Sequence, residues 1–317
     1  MVDKVLVIGA CGQVGTELVE NLQGIYGSGN VVASDIRTSD NPIFTSSTFE
    51  ILDVLNKEQI KSVFSTHKPT IVYHLAALLS ATAEAKPKFG WELNMDGTFN
   101  IFDACLEYGV KRIFWPSSIA VFGPTTPRVN TPQSTILEPN TIYGITKLAG
   151  ERYCEYYHTR YGLDVRSIRY PGLIGWKSLP GGGTTDYAVE IFHEAIKNKS
   201  YTSFLNKTTT LPMMHMEDAV RATLEITDAP AEKIGLRSSY NISGVSFNPE
   251  ELAQQIKLHI PEFKLNYKID SRQKIADGWP QSIDDSLARK HWGWKEKFNL
   301  EVLVKNMLDN LSSLELT

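Results

Sequence analysis

The sequence predicts an α/β protein built on a doubly wound parallel sheet, and three features of the first half of the chain support this. Short runs rich in β-branched residues alternate with longer segments whose apolar residues recur at helical spacing. Runs such as Val5–Ile8 are apolar at every position, which is typical of strands covered on both faces. A glycine-rich turn joins the first strand to the first helix. Together these features indicate parallel strands joined by crossover helices.

The predicted elements alternate in order up to about residue 170. The predicted strands are Val5–Ile8, Val31–Asp35, Ile71–Leu75, Arg112–Ser117 and Val165–Arg169, with one more strand expected before Asp53. The predicted helices are Gly12–Leu22, Lys57–Thr66, Trp91–Tyr108 and Tyr143–Tyr161. This alternation predicts a Rossmann-type domain.

Beyond residue 172 the sequence changes to a glycine-rich loop, isolated helical patterns and short strands. We therefore expect a Rossmann domain over residues 1–172. A smaller C-terminal lobe over residues 173–317 would supply most of the substrate contacts. Within that lobe, Tyr240–Ile242 is expected to return to the main sheet as a strand.

Composition and charge exclude several classes of protein. The 317 residues are 42% apolar and carry a formal net charge of −4, which suits a substantial core but not binding to nucleic acid or anionic membranes. The cysteines Cys11, Cys105 and Cys154 are widely spaced, so we expect reduced thiols and no metal site. No segment has the pattern of a secretory signal or a membrane span. These observations predict a cytoplasmic protein.

A phosphate-binding turn is predicted directly after the first strand, in the segment Gly9–Gly15. Its glycines would permit a tight turn, close approach of a pyrophosphate and close packing of the helix on the strand. A plain strand-to-helix turn is the alternative, but the flanking strand and helix favour a dinucleotide. The expected cofactor contacts in this segment are Gly9, Cys11, Gly12, Gln13, Val14 and Gly15.

A carboxylate at the end of the second strand indicates which dinucleotide binds. Asp35 can accept hydrogen bonds from an adenosine ribose and would repel a 2′-phosphate, which favours NAD over NADP. Arg37 keeps NADP open as an alternative, because an arginine there could bind the phosphate. Further cofactor contacts are expected at Asp53 and Val54, after the third strand, and at Leu75, Ala76 and Ala77, after the fourth. For Leu75, Ala76 and Ala77, close packing within the protein is the alternative.

The candidate catalytic residues are Ser118, Tyr143 and Lys147. Tyr143 and Lys147 are four residues apart, so on a helix they share a face and the ammonium can lie beside the phenol. A neighbouring positive charge is expected to lower the pKa of the phenol from about 10 towards neutrality, where a general base is most effective. This arrangement suits hydride transfer at a carbinol. Taken alone, the spacing would equally fit an exposed amphipathic helix.

The combined motifs resemble the extended short-chain dehydrogenase/reductase superfamily, which includes enzymes similar to UDP-galactose 4-epimerase. The motifs follow the family order over nearly the whole chain. The resemblance implies an NAD cofactor, a catalytic hydroxyl at Ser118 and a homodimer formed through the helices Trp91–Tyr108 and Tyr143–Tyr161. It also implies that the cofactor site includes Asn94, Ser117, Tyr143, Lys147, Tyr170 and Pro171.

Four strings in the second half resemble the short-chain L-threonine dehydrogenases within that superfamily. These strings are residues 180–188, 211–218, 279–285 and 292–294, although His215 stands where that family has tyrosine. The resemblance implies NAD-dependent oxidation of L-threonine to 2-amino-3-oxobutanoate. The expected substrate contacts are Ser80, Ser118, Tyr143, Gly181, Thr184, Thr185 and Trp279.

The composition of the loop at residues 179–188 independently favours a small substrate. It contains no lysine or arginine, which a sugar nucleotide with its second pyrophosphate would need, whereas backbone and threonine hydroxyls suit a zwitterion. A flexible surface loop is the simpler alternative. A sugar-nucleotide epimerase or dehydratase and a non-catalytic nucleotide-sensing regulator remain the alternative functions. His74 and His215 are expected to be structural.

Overall fold

The structure, a computed structural model, describes residues 2–45, 48–179, 181 and 183–315. Its strands are β1 Val5–Ile8, β2 Val31–Asp35, β3 Thr48–Ile51, β4 Ile71–His74, β5 Arg112–Phe114, β6 Ser117–Ser118, β7 Val165–Arg166, β8 Ile168–Tyr170, β9 Gly172–Ile174, β10 Ser200–Ser203, β11 Leu211–His215, β12 Tyr240–Asn241, β13 Val245–Phe247 and β14 Lys264–Tyr267. Its helices are α1 Gln13–Tyr26, α2 Lys57–His67, α3 Ser80–Ala85, α4 Pro87–Trp91, α5 Gly97–Glu107, α6 Ile142–Tyr161, α7 Tyr187–Asn198, α8 Met216–Asp228, α9 Pro249–Lys257, α10 Arg272–Asp277, α11 Ser286–Trp292 and α12 Leu300–Glu315.

A parallel sheet forms the centre of the molecule and confirms the predicted fold class. Within the described chain, its six strands have the order β3-β2-β1-β4-β5-β7, and every neighbouring pair is parallel. The strand order therefore reverses between β1 and β4. In doubly wound sheets, ligands bind at the carboxyl ends of the strands beside such a reversal.

The predicted strands Arg112–Ser117 and Val165–Arg169 are each divided in two, and the cause of the first division is visible in the sequence. The predicted strand Arg112–Ser117 divides into β5 and β6 around Pro116, which has no backbone N–H to donate to a neighbour. The chain nevertheless stays paired there, because the Trp115 N–H donates to the Arg166 carbonyl at 2.9 Å. Beyond the interruption β6, β8 and β12 pair side by side in parallel. Tyr240–Asn241 does form a strand, but it belongs to this separate three-stranded sheet, so its predicted return to the main sheet stays a prediction.

Helices cover both faces of the sheet, as its uninterrupted apolar strands require. On one face, apolar residues of α2 and α5 pack with Trp115 and Cys154. On the other face, α1 packs with α8, which belongs to the second half of the chain. A third core lies among α7, α9 and α12. The division of the chain at residue 172 stays a prediction, since α8 and β12 both pack with the first half.

The helix predicted over Trp91–Tyr108 begins differently from the prediction. It follows α4 through a turn of π-helix at Glu92–Asp96 before α5 begins at Gly97. Such π-turns occur often at functional sites, because they redirect a side chain from the regular helical path. Here the redirected residue is Asn94, which faces the loop after β4. In the part of the chain that the structure describes, no helix is long and apolar enough to cross a membrane.

Candidate active site

A cavity of about 720 Å³ opens at the carboxyl ends of the strands beside the reversal. It contains most of the residues predicted for the site. Those lining it are Gly9, Cys11, Gly12, Gln13, Val14, Gly15, Arg37, Leu75, Ala77, Ser80, Ser117, Ser118, Tyr143, Lys147, Tyr170, Pro171, Gly181, Thr184, Thr185 and Trp279. Gly182, part of the predicted glycine-rich loop, lies outside the described residues.

The glycine-rich turn brings backbone to the cavity in a way that no other residue type allows. Gly9 has φ of +84°, and a Cβ there would lie 2.7 Å from the Ala76 nitrogen. A Cβ on Gly15 would lie 2.4 Å from the Gly9 carbonyl oxygen. Within the described chain, no side chain caps α1 at Gly12 and no acidic residue occupies its first turn. The helix dipole is therefore free to attract a phosphate, and the turn fits a dinucleotide.

Asp35 lies next to the glycine-rich turn but does not line the cavity itself, so its predicted contact with a ribose stays a prediction. Its Oδ2 accepts a hydrogen bond from the Cys11 N–H at 2.9 Å, which fixes the carboxylate beside the glycine-rich turn. The Arg37 backbone N–H lies 3.4 Å from Asp35 Oδ1, and the Arg37 side chain is exposed at the cavity rim. The carboxylate is held by backbone, whereas the guanidinium is at the surface.

Four other predicted cofactor residues do not line the cavity. Asp53 Oδ1 accepts a hydrogen bond from the Leu55 N–H within its own turn. The Val54 side chain packs against Gly97, where an added Cβ would lie 2.6 Å from Val54 Cγ2. Asn94 accepts from the Leu78 N–H at 2.7 Å and donates to the Leu78 carbonyl at 3.1 Å. Asn94 thus fixes the segment after β4 on which Leu75 and Ala77 face the cavity. Ala76 packs against Gly9. Their predicted contacts with a cofactor stay predictions.

The candidate catalytic side chains converge from β6 and α6. Lys147 is only 4% exposed, and its Nζ lies 5.6 Å from the centre of the Tyr143 ring. The Lys147 ammonium donates to the Pro116 carbonyl at 2.6 Å. Ser118 Oγ accepts from the Ala120 N–H at 3.2 Å, and the Ser118 side chain also hydrogen-bonds the Tyr143 phenol. Hydroxyl, phenol and ammonium therefore meet at one wall of the cavity.

Burial dominates the acid–base properties of this group. Desolvation raises the pKa of Tyr143 to about 12, partly offset by the hydrogen bond with Ser118. Desolvation lowers the pKa of Lys147 to about 7, opposed by the nearby Cys154 and Glu151. The expected lowering of the tyrosine pKa is thus not found in the protein alone. Burial destabilises the phenolate more than the hydrogen bond with Ser118 stabilises it.

A buried ion pair supports the catalytic wall from behind. Glu151, one helical turn after Lys147, accepts from Ser117 Oγ at 2.6 Å and from two nitrogens of Arg169 at 2.8 Å each. Arg169 also donates to Asn241 Oδ1 at 3.0 Å. This network joins β6, α6, β8 and β12. Arg169 is therefore satisfied mainly by a carboxylate.

Hydroxyls and one carboxylate also line the cavity. Thr184 is 2% exposed, and among the described residues no hydrogen-bond partner lies within reach of its Oγ1. Ser80 and Trp279, 6% and 7% exposed, lie at the same cavity. Asp186 also lines it and accepts from the Gly183 N–H at 2.7 Å. Asp186 is not among the residues predicted from the sequence, although a zwitterionic substrate would need a carboxylate for its ammonium.

The two candidate histidines are structural, as expected. Burial lowers the pKa of His74 to about 3 and that of His215 to about 4, so both are neutral at physiological pH. His215 begins α8, where its Nδ1 accepts from the Glu217 N–H at 3.3 Å, and its ring stacks on Phe298. The histidine found in place of tyrosine therefore serves as a helix cap.

Known proteins resemble this chain over almost its full length. A model of the NAD dependent epimerase/dehydratase family matches residues 5–243. The mitochondrial L-threonine 3-dehydrogenase of Bos taurus is 47% identical over 307 residues, covering 96% of this chain and 82% of that protein. An uncharacterized epimerase/dehydratase of Staphylococcus saprophyticus is 46% identical over 314 residues, covering 98% of each chain. The structure of an L-threonine dehydrogenase from Cupriavidus necator in its holo form matches with a TM-score of 0.95 at 50% identity, covering 97% of this chain and 99% of that one.

Proposed function

Because the chain belongs to the NAD-dependent epimerase/dehydratase family, we propose that it uses NAD to oxidise the β-hydroxyl of L-threonine, giving 2-amino-3-oxobutanoate. The observation that carries the proposal is a single cavity that is lined both by the Ser118–Tyr143–Lys147 group and by the hydroxyls of Ser80, Thr184 and Thr185 with the carboxylate of Asp186. Relatives named as L-threonine dehydrogenases support the same substrate.

The chain's own residues would control the proton of the reacting hydroxyl. When bound, NAD supplies the hydride acceptor. Tyr143 as phenolate would accept the hydroxyl proton, and Ser118 would hydrogen-bond the same oxygen as it becomes a carbonyl. Lys147 would hold the nicotinamide ribose, and its positive charge would favour the phenolate. The pKa of Tyr143 is about 12 in the protein alone, where Lys147 is already in place, so the phenolate would need further stabilisation once NAD and substrate are bound.

The hydroxyls and the carboxylate that line the cavity would hold the zwitterion. Thr184 Oγ1 is buried and its hydrogen-bonding capacity is unmet within the described chain, so it is suited to donate to the substrate carboxylate. Asp186 can accept from the ammonium. Ser80 and Thr185 would add hydroxyl contacts, and Trp279 would form an apolar wall against the methyl group. These roles would orient Cβ towards the nicotinamide.

Charge separates this proposal from a sugar-nucleotide reaction. Among the described residues, the only charged side chains that line the cavity are Arg37, Lys147 and Asp186. Arg37 lies beside the expected adenosine site and Lys147 beside the ribose. Neither is available for a second pyrophosphate, and Asp186 would repel one. The intact Ser118, Tyr143 and Lys147 also argue against a non-catalytic sensor.

The test is formation of NADH by the purified protein with NAD and each of L-threonine, L-allo-threonine, L-serine and UDP-glucose. We expect steady NADH production with L-threonine and none with UDP-glucose. Tyr143→Phe keeps the ring and removes the proton acceptor, so it should lower kcat about 10²- to 10⁴-fold. No NADH from L-threonine, together with conversion of UDP-glucose, would replace the proposal with an epimerase.

A further inference from the structure

The Lys147 ammonium lies in an environment that is costly for a cation. Its side chain is 4% exposed, and its hydrogen bond to the Pro116 carbonyl does not by itself replace a full hydration shell. A group with this role has to remain charged. Other features around Nζ must therefore stabilise the ammonium.

The face of the Trp115 indole lies against this ammonium. Lys147 Nζ is 4.4 Å from the centre of the Trp115 ring, closer than the 5.6 Å to the Tyr143 ring. Trp115 is itself 3% exposed, so both partners of the contact are almost entirely removed from solvent. Tryptophan offers the strongest cation–π attraction of the aromatic side chains, and that attraction increases when the pair is desolvated.

The surrounding chain is shaped to keep the indole in this position. A Cβ on Gly150, one turn of α6 beyond Lys147, would lie 2.3 Å from the Trp115 ring. Only glycine at 150 therefore lets the indole lie flat against the helix. At the other side the Trp115 Nε1–H donates to Thr98 Oγ1 at 3.3 Å, and Thr98 donates to the Asn94 carbonyl at 2.6 Å.

We propose that Trp115 is a positioning residue for the active-site lysine, its indole face holding the Lys147 ammonium charged and in place for the cofactor ribose. The proposal rests on the role of Lys147 in the proposed function. It assigns to Trp115 an electrostatic task in addition to packing. Gly150 is the feature of the helix that makes the contact possible.

Other charged and titratable groups face Lys147 as well. Tyr143, Glu151 and Cys154 do so from α6, and His74 does so from β4. His74, with a pKa of about 3, and Cys154, with a pKa well above its usual range, are both neutral around pH 7. Glu151 is tied to Arg169. The charges of these neighbouring groups therefore stay constant near neutral pH, and a change in the protonation of Lys147 in a Trp115 variant can be attributed to Trp115.

The test measures NAD affinity by calorimetry across pH 5 to 9 for the wild type, Trp115→Leu and Trp115→Phe. Wild-type affinity should fall about tenfold as the ammonium loses its proton, because a charged donor binds more strongly than a neutral amine. Leucine removes the π face, so the midpoint of this decrease in NAD affinity should lie about one pH unit lower than in the wild type. Phenylalanine keeps an aromatic face with a weaker attraction for cations, so Trp115→Phe should lower the midpoint by less.

Two further variants keep the test decisive. Phe102→Leu removes a buried aromatic ring from the same core without a facing ammonium, so its midpoint should match the wild type. Gly150→Ala keeps the indole but displaces it, and it should lower the midpoint even if Trp115→Leu does not fold. An unchanged midpoint in Trp115→Leu or, should that variant not fold, in Gly150→Ala would overturn the proposal. NAD affinity is measured without an amino acid. The test of Trp115 therefore gives its own result even if the protein does not oxidise L-threonine.

Discussion

Replacing Glu17 by glutamine is expected to stabilise the protein at neutral pH, although it removes a charge from a helix. Glu17 lies on α1 and is 7% exposed. Burial, with the neighbouring Glu217 and Glu20, raises the pKa of its carboxyl from 4.5 to about 7, and Lys177 opposes this only in part. The folded protein therefore binds a proton that the unfolded chain has already released. The carboxylate costs stability wherever the unfolded chain is ionised.

The magnitude follows from the size of this pKa change. A rise from 4.5 to about 7 corresponds to about 3 kcal/mol of destabilisation when the pH is above both values. At pH 8 this cost is nearly complete, whereas at pH 5 the folded state keeps its proton and the cost is about 1 kcal/mol. Glu17→Gln should therefore raise the free energy of unfolding by about 3 kcal/mol at pH 8 and by about 1 kcal/mol at pH 5.

Urea denaturation of the ligand-free protein at pH 5, 6, 7 and 8 measures this difference. Glu20→Gln is the matched control on the same helix. The Glu20 side chain is 51% exposed, so Glu20→Gln should change the free energy of unfolding by at most about 1 kcal/mol at any of these pH values. The reasoning would be refuted if Glu17→Gln raised the free energy of unfolding equally at pH 5 and pH 8, or lowered it at pH 8.

The remaining predictions concern substrate, cofactor and assembly. Thr184→Ala should raise the KM for L-threonine about 10- to 100-fold, because it removes one hydrogen bond to a charged group. NAD affinity measured by calorimetry should stay unchanged. Asp35→Asn should improve kcat/KM for NADP relative to NAD by about tenfold or more, because a like charge no longer faces the 2′-phosphate. Light scattering should give twice the chain mass of 35.5 kDa. Tyr156→Asp should yield monomers, since Tyr156 and Tyr161 form an exposed aromatic surface on α6; a monomeric wild type would contradict the predicted homodimer.

Much of the first half of the fold could be predicted because its signals are local. The β1–turn–α1 unit follows from an apolar run and from glycines whose substitution would collide with Ala76 or Gly9. The family resemblance read from the motifs is confirmed by the match over residues 5–243. The break at Pro116 was also readable in retrospect, since proline cannot donate in a strand.

The electrostatics of the site could not be predicted from spacing. Tyr143 and Lys147 do share a face of α6, as their spacing predicts. Spacing does not reveal that the Tyr143 side chain is buried, and this burial raises the pKa of the phenol. The Glu151–Arg169 pair joins a helix to a strand, and Asp186 reaches the cavity through the fold of its loop. Partners of this kind depend on tertiary contacts. They become visible only once the elements are assembled.

The central claim is that hydride leaves Cβ of L-threonine for NAD, and isotope transfer tests it most directly. The purified protein would be given NAD and L-threonine deuterated at Cβ, and the cofactor would be analysed by mass spectrometry. The proposed function predicts NADH that carries one deuterium at C4 of its nicotinamide ring, formed together with the keto product. Unlabelled NADH, or deuterium that remains on the amino acid while no NADH accumulates, would contradict it.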